Sequence, residues 1–548
     1  MSPEPENWLL PHGNYAAWMY SPLDQINTDN VGDLRVAFMT AIGGSQPASL
    51  GGQAPGQRGW PLVNNGMMYA VNAWGEVVKI DVSSGTMGRP LWSNDPIAQA
   101  ALSKFASPVL WGDDVYNVTR NDMRMIRING ETGETVWEVS VRGPDNVETA
   151  ERVSGGAIAV NGNIIFGAAG PGMRGWVGAF SAETGDLAWR FYTVPAPGEP
   201  GNETWADDHN AWLTGGAGVW TTPSYDPATN LVIFGTGEPQ PWADSAFRPG
   251  DNLYSVSTVA VDADTGALAW YFQEIPHESW DYDTVNARML YDMPFEGASR
   301  PVMGAFSRNG HYYTLDRTTG EFISAGIYRE DLNWTAGIDP KTGLPVEYDA
   351  TTPFQRYGDN ATLVAGRPET SQNICPAFFP GAPTWWPPTY DPVLQRSWVQ
   401  TSDLCMDQTI AEPIDVTRTD LAGNPGLWGG GNFWSWTTEG AGQGIVQAVD
   451  TTTGQKIGEL RLPTTSTGGI LGTAGGLLFM GHPDGTFAAY DKESLEMLWS
   501  FNAGTPITAP PISYAVNGQQ FIAVTVGGAA GGPNAILDRA SQIVVFAL

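Results

Sequence analysis

Cysteine is almost missing from this chain: there are two in 548 residues, Cys375 and Cys405. They form no CxxC or CxxCH pattern, which excludes covalently attached haem c and a cysteine-rich zinc site. Positive charge is also scarce, with 27 basic residues against 58 acidic and a formal net charge of −31. A field of that sign repels phosphate, which argues against nucleic acid and anionic membrane surfaces as partners. The acid excess reads first as a solvated surface; a docking face for a basic electron acceptor is the alternative. Charged residues of both signs reach only 16%, too few for long solvated helices. No run approaches the ~18 consecutive apolar residues of a membrane helix. The opening Met1-Ser2-Pro3-Glu4-Pro5 has neither a basic nor an apolar leader region. The expectation is therefore that a signal peptide is absent or already removed.

Glycine (67), proline (41) and tryptophan (23) are abundant instead, and the tryptophans recur. An alternating apolar run is followed by Asp or a small polar residue, then Thr-Gly or Ser-Gly, then Trp. The pattern runs from Val78-Lys79-Ile80-Asp81 through Ser84-Gly85 to Trp92. It returns with one fixed Gly-to-Trp spacing at Gly133 to Trp137, Gly185 to Trp189 and Gly266 to Trp270. Weaker copies lie at Thr319-Gly320, at Thr453-Gly454 and from Asp491 to Trp499. The interval from Gly320 to Gly454 leaves room for one more, carrying Tyr390-Asp391-Pro392 and Trp398.

Period-2 alternation makes a half-buried strand, and Asp-x-x-Thr-Gly makes a tight turn in which Gly accepts positive φ. The Trp that follows offers a broad ring to pack between sheets and an N–H for a backbone acceptor. Small sheets that cannot bury both faces alone stack radially. The reading is an all-β, eight-bladed β-propeller with tryptophan-docking repeats, forming one domain over residues 1–548. The last strand, Gln542 to Phe546, would pair with the N-terminal segment and close the ring. A β-sandwich array or open solenoid is the alternative, disfavoured because spacings vary while the turn chemistry does not.

Several ordered blocks resemble the methanol/ethanol branch of the pyrroloquinoline-quinone (PQQ) dehydrogenases over nearly the whole chain. They are Tyr20-Ser21-Pro22-Leu23-Asp24-Gln25-Ile26-Asn27, Arg248-Pro249-Gly250-Asp251-Asn252 with Pro276 through Asp283, and Tyr313 through Gly320. A further block pairs Ile374-Cys375-Pro376 with Cys405-Met406-Asp407, cysteines that the resemblance implies are bridged. Such a bridge fits an oxidising compartment, the periplasm or the cell exterior.

The resemblance implies a base at Asp281 and an extra carboxylate, Asp283, of the kind found in lanthanide-using members. Residues i and i+2 of an extended segment point the same way, so both carboxylates can meet one cation. Trp220 matches the flat floor beneath the quinone, and Arg317 matches the cation on the quinone oxygens. Glu238, after Gly235-Thr236-Gly237, stands where the family has a metal-binding Asn. The implied metal set is Glu238, Asp281 and Asp283, for Ca2+ or a lanthanide. Three like charges in a partly dry site require a multivalent cation or a retained proton.

Other cofactor positions depart from the family. Gly167 to Gly175 contains no acid where a metal-binding Glu is expected. Ala100-Ala101 replaces the neighbouring-cysteine pair, Ala106 the cofactor-binding Arg, and Arg58 an acid. Gly527-Gly528-Ala529-Ala530-Gly531 replaces a Trp-rich contact. Asp207-Asp208-His209 and His277 read as hydrogen-bonded loop positions. Trp385, Trp386, Trp428, Trp434 and Trp436 read mainly as packing, with a substrate mouth as the alternative.

Three functions remain open on the sequence. One is a PQQ-type alcohol or aldehyde dehydrogenase that passes electrons to a separate cytochrome c, with a homodimer as its candidate assembly. Another is a cofactor-free enzyme on the same scaffold, similar to tetrathionate hydrolase, using Asp281 or Asp283 as acid/base. The last is a non-catalytic ligand-binding propeller. The intact Trp280-Asp281-Tyr282-Asp283 block favours catalysis.

Overall fold

The computed structural model describes residues 4–43, 57–96, 107–144, 151–295, 297–358, 369–410, 432–437, 442–527 and 541–548. Among these, strands dominate and the only helical pieces are short turns. The strands form seven four-stranded sheets, one five-stranded sheet and one three-stranded sheet. Ile158–Val160, Asn163–Ala168, Trp176–Ser181 and Leu187–Tyr192 show the unit: four consecutive strands joined antiparallel in chain order. Burial follows position in the sheet. Trp176–Ser181 is buried almost throughout, whereas last strands such as Thr135–Ser140 and Met497–Asn502 are mostly exposed or half-exposed. Inner strands, covered on both faces, therefore read as continuous apolar runs, and edge strands alternate.

The recurring Gly and Trp meet between successive sheets. A Cβ on Gly133 would stand 2.7 Å from the Trp92 ring, and one on Gly266 or Gly320 would stand 2.6 Å from Trp189 or Trp270. These glycines have φ of 71–78°, a conformation that L side chains resist. The indole N–H groups of Trp92, Trp137 and Trp189 donate to the carbonyls of Gly130, Glu183 and Ala263 at 3.2, 2.9 and 2.9 Å. Each indole thus finds the acceptor that burial demands.

The chain ends meet in one sheet. Gln542–Ala547 pairs antiparallel with Arg35–Ala41, so the expected closing contact is present. In the interval after Gly320, Thr389–Asp391, Arg396–Ser402, Gly444–Asp450 and Lys456–Leu462 form a four-stranded sheet. Into it is inserted the three-stranded sheet of Glu369–Ile374, Met406–Ile410 and Asn432–Trp436, held by a Cys375–Cys405 disulfide. No helix among the described residues is long and apolar enough to cross a membrane.

Candidate functional site

Glu238, Asp281 and Asp283 come together, all buried, with ligand oxygens within 4.8 Å of one another. Glu238 follows the strand Leu231–Gly235, and its backbone is locked to the neighbouring connection. Gly237 N–H donates to Gly218 O at 2.8 Å, and Ala217 N–H donates to Glu238 O at 2.8 Å. Gly237 has to be Gly for a local reason: a Cβ would lie 2.9 Å from Asp283 Oδ1. The Glu238 N–H itself donates to Asp283 Oδ1 at 2.6 Å.

The loop that presents the two aspartates is pinned from below by one of the sequence blocks. Arg248 is fully buried. It donates to Pro241 O at 2.9 Å, Trp242 O at 2.8 Å, Asn252 Oδ1 at 2.7 Å and the Glu278 carbonyl. Glu278 Oε1 in turn accepts the N–H groups of Trp280 and Tyr282 at 2.5 and 2.8 Å. Burial pushes its pKa up to about 7. These contacts set the backbone around Asp281, whose φ of +66° is uncommon for a non-glycine residue.

One guanidinium faces the three carboxylates. Arg308 Nη1 donates to Asp281 Oδ1 at 2.8 Å and to Asp281 O at 2.6 Å, and Nη2 lies 3.1 Å from Asp283 Oδ2. Burial pulls its pKa down, but Asp283, Asp281 and Glu238 outweigh burial and hold it above the ordinary value. Burial drives Glu238 well up, reinforced by Asp283 and Asp281. Asp281 is also driven well up, chiefly by burial and further by Asp283, against the pull of Arg308. Without another cation, burial and mutual repulsion oppose full ionisation of Glu238 and Asp281.

Trp220 borders these acids. Its Nε1–H donates to Asp283 Oδ2 at 3.1 Å, which fixes the ring, and the Arg308 guanidinium lies 5.6 Å from the ring centroid. Trp385 sits 6.4 Å from Trp220, and Arg58 stacks on Trp385 at 4.5 Å. Two tilted indoles therefore lead from the acids to an arginine.

The acid-free stretch Gly167–Gly175 contacts the site through Gln240. Gln240 accepts from Gly172 N–H at 2.8 Å and donates to Glu238 Oε1 at 2.9 Å. Glu238 thus supplies the third carboxylate from a different connection.

Arg317 lies apart from the acid cluster. It follows the strand His311–Asp316, whose 6 residues span roughly 20 Å, and Arg308 precedes that strand. The two arginines therefore lie at opposite ends of the sheet. Arg317 is engaged there by Asp226 at 2.9 Å and Asp292 at 2.8 Å, whereas Arg308 faces the acid cluster. Ala100, Ala101, Ala106, Trp428 and Gly528–Gly531 lie outside the described residues. Trp386 is buried, whereas Trp434 is 42% exposed. Asp331, Cys375 and Cys405 also lie close together, but their sulfurs are joined in the disulfide.

The profile "Glucose/ethanol/alcohol dehydrogenase, beta-propeller domain" of the PQQ proteins matches residues 8–325 and 442–522. The quinoprotein alcohol dehydrogenase PedH of Pseudomonas putida is 31% identical over 93% of this chain and 84% of its own length. The dehydrogenase subunit of a quinone alcohol dehydrogenase from Gluconobacter oxydans is 33% identical over 95% and 70%. Among solved structures, a europium-containing methanol dehydrogenase superposes with a TM-score of 0.85 at 28% identity, covering 100% of this chain and 98% of its own. On this match of sequence and architecture, the chain is a β-propeller that belongs to the PQQ-dependent quinoprotein alcohol dehydrogenase family.

Proposed function

We propose that this protein is a quinoprotein dehydrogenase that oxidises an alcohol or aldehyde at the Glu238–Asp281–Asp283 cluster. The observation that carries the reading is the cluster itself: three buried carboxylates converging beside a fixed indole in a chain of this family. The donor set suits a hard, oxygen-seeking cation, Ca2+ or a lanthanide. Arg308 alone cannot neutralise three acids, and a multivalent ion supplies the remaining positive charge. When bound, PQQ supplies the two-electron acceptor and the cation polarises it.

The residues divide the remaining work. Asp281, ionised beside the cation, takes the hydroxyl proton of the substrate. Asp283 is held by Glu238 N–H, Trp220 Nε1–H and Arg308, so it fixes geometry instead of moving protons. Trp220 provides the flat apolar floor. Arg308 keeps its charge throughout and holds Asp281 in place.

The seven four-stranded sheets and the five-stranded one are read as eight blades of one domain, with the Trp–Gly contacts as docking between blades. The disulfide fits a periplasmic or extracellular setting. Electrons pass onward to an acceptor such as a cytochrome c.

The test is a titration of metal-stripped protein with PQQ, with and without Ca2+ or La3+, followed by absorbance and melting temperature. Saturable, cation-dependent binding is expected, together with alcohol-dependent dye reduction that Asp281→Asn abolishes. Absence of binding with every cation would overturn the reading in favour of cofactor-free acid/base chemistry at Asp281, with polythionates the first substrates to screen.

A further inference from the structure

Gln240 stands two residues past Glu238, and both its backbone and its stem are fixed. It is 4% exposed. Its N–H donates to Gly215 O at 3.0 Å. Its stem lies in space that Gly216 leaves open, where a Cβ would stand 2.6 Å from Gln240 Cγ and 3.1 Å from Cδ. Gly216 has φ of +75°, so a side chain there is resisted by the backbone as well as by the contact.

The amide can take only one orientation. Gly172 N–H, 2.8 Å away, is a donor and requires the amide oxygen. The nitrogen is thereby turned the other way, reaching Glu238 Oε1 at 2.9 Å and Gly170 O at 3.4 Å. A backbone N–H of the 170–172 connection thus dictates which end of Gln240 meets the carboxylate.

That contact works against a repulsion. Glu238, Asp281 and Asp283 bring ligand oxygens within 4.8 Å of one another. Asp281 is gripped by Arg308 at 2.8 Å. Asp283 is held by the Glu238 N–H at 2.6 Å, the Trp220 Nε1–H at 3.1 Å and Arg308 at 3.1 Å. Glu238 has one more rotatable bond than either aspartate, so like charge turns it aside more readily. Gln240 restrains it with a neutral donor and adds no charge to the cluster.

We propose that Gln240 is the positioning residue of the cation site, holding Glu238 toward Asp281 and Asp283 so that three carboxylates keep one focus. This rests on the cation site proposed above and names the neutral side chain that aims its third carboxylate. Groups that orient a metal ligand in this way set its affinity without touching the ion.

The experiment titrates metal-stripped protein with Tb3+ and reads tryptophan-sensitised luminescence. It compares wild type, Gln240→Met, Glu238→Gln and the double variant. Methionine keeps the length of the side chain and a weak acceptor for Gly172 N–H, but removes the donor to Glu238. Gln240→Met should weaken Tb3+ binding about tenfold to a hundredfold. In the Glu238→Gln background the same change should alter affinity less than about twofold, because Gln240 acts through Glu238. Eu3+ luminescence lifetimes in H2O and D2O should count one more bound water in Gln240→Met than in wild type. An equal loss of affinity in both backgrounds means general structural support and overturns the proposal. So does wild-type affinity in Gln240→Met, or tighter binding with fewer waters. Each of those leaves the cation site standing, whereas failure of wild type to bind Tb3+ overturns the site as well.

Discussion

Arg308 grips Asp281 twice, at its carboxylate (2.8 Å) and at its own carbonyl (2.6 Å). One nitrogen therefore fixes both the side chain and the left-handed backbone from which it projects. Arg308→Met removes the positive charge facing three buried acids, and breaking such a pair costs about 3–5 kcal/mol. Metal-free Arg308→Met should melt well below wild type, and Arg308→Lys, which keeps the charge but loses the second contact, should fall between. La3+ should raise the melting temperature of Arg308→Met more than that of wild type. Scanning calorimetry with and without La3+ checks this, and equal gains would count against a shared charge balance.

Gly237 backs directly onto the acid cluster proposed to hold the cation. A Cβ there meets Asp283 Oδ1 at 2.9 Å and Gly218 O at 3.3 Å, so Gly237→Ala must displace the carboxylate or the backbone. Overpacking of this kind costs about 1–3 kcal/mol. The larger effect should fall on the cation, with affinity for Tb3+ weakened roughly tenfold or more as the carboxylates lose their common focus. Terbium luminescence sensitised by Trp220 measures it directly. Wild-type affinity in the variant would show that Asp283 is not a ligand.

Arg317 separates stability from catalysis. Its partner Asp226 is almost fully buried, so Arg317→Ala leaves an uncompensated carboxylate and should destabilise by about 3 kcal/mol. Because Arg317 stands at the opposite end of the sheet from the cluster, kcat/KM of the folded variant should match wild type. Loss of activity without loss of stability would return Arg317 to the site.

The fold was legible because its signals are local. A turn that needs Gly, often with a Trp after it, repeats along the chain and places Gly against Trp between sheets, as at Gly133 and Trp92 or Gly320 and Trp270. Asp281 and Asp283 were legible for the same reason, being two residues apart. Glu238 was found through its Gly-Thr-Gly approach, although only the structure shows that it reaches the aspartates. Arg308 was missed because its role depends on which end of a strand it occupies. The site loop precedes Met289–Phe295, that strand leads away, Ala298–Phe306 leads back, and Arg308 follows. Counting two strand lengths would have placed Arg308 at the site and Arg317 away from it.

Acid should weaken the fold through buried histidines, and His482 tests this cleanly. Burial holds His482, His12 and His311 each down to about 4, against about 6.5 when unfolded. Their contribution is fully present above pH 6.5 and is lost as pH falls toward 4, because the unfolded chain then binds protons that the native state refuses. At pH 5 each costs about 2 kcal/mol. Glu278, raised to about 7, acts with the opposite sign, contributing below pH 4.5 and losing that contribution as pH rises through 7. The wild-type profile alone therefore mixes the two. His482→Gln keeps a polar group for the Tyr490 hydroxyl, which His482 Nε2 meets at 3.0 Å, and it removes one titrating site. Relative to wild type, the variant should gain about 2 kcal/mol between pH 7.5 and pH 5, measured by urea unfolding at both values. A constant difference between the two proteins would mean that His482 accepts a proton in the folded state as readily as in the unfolded chain.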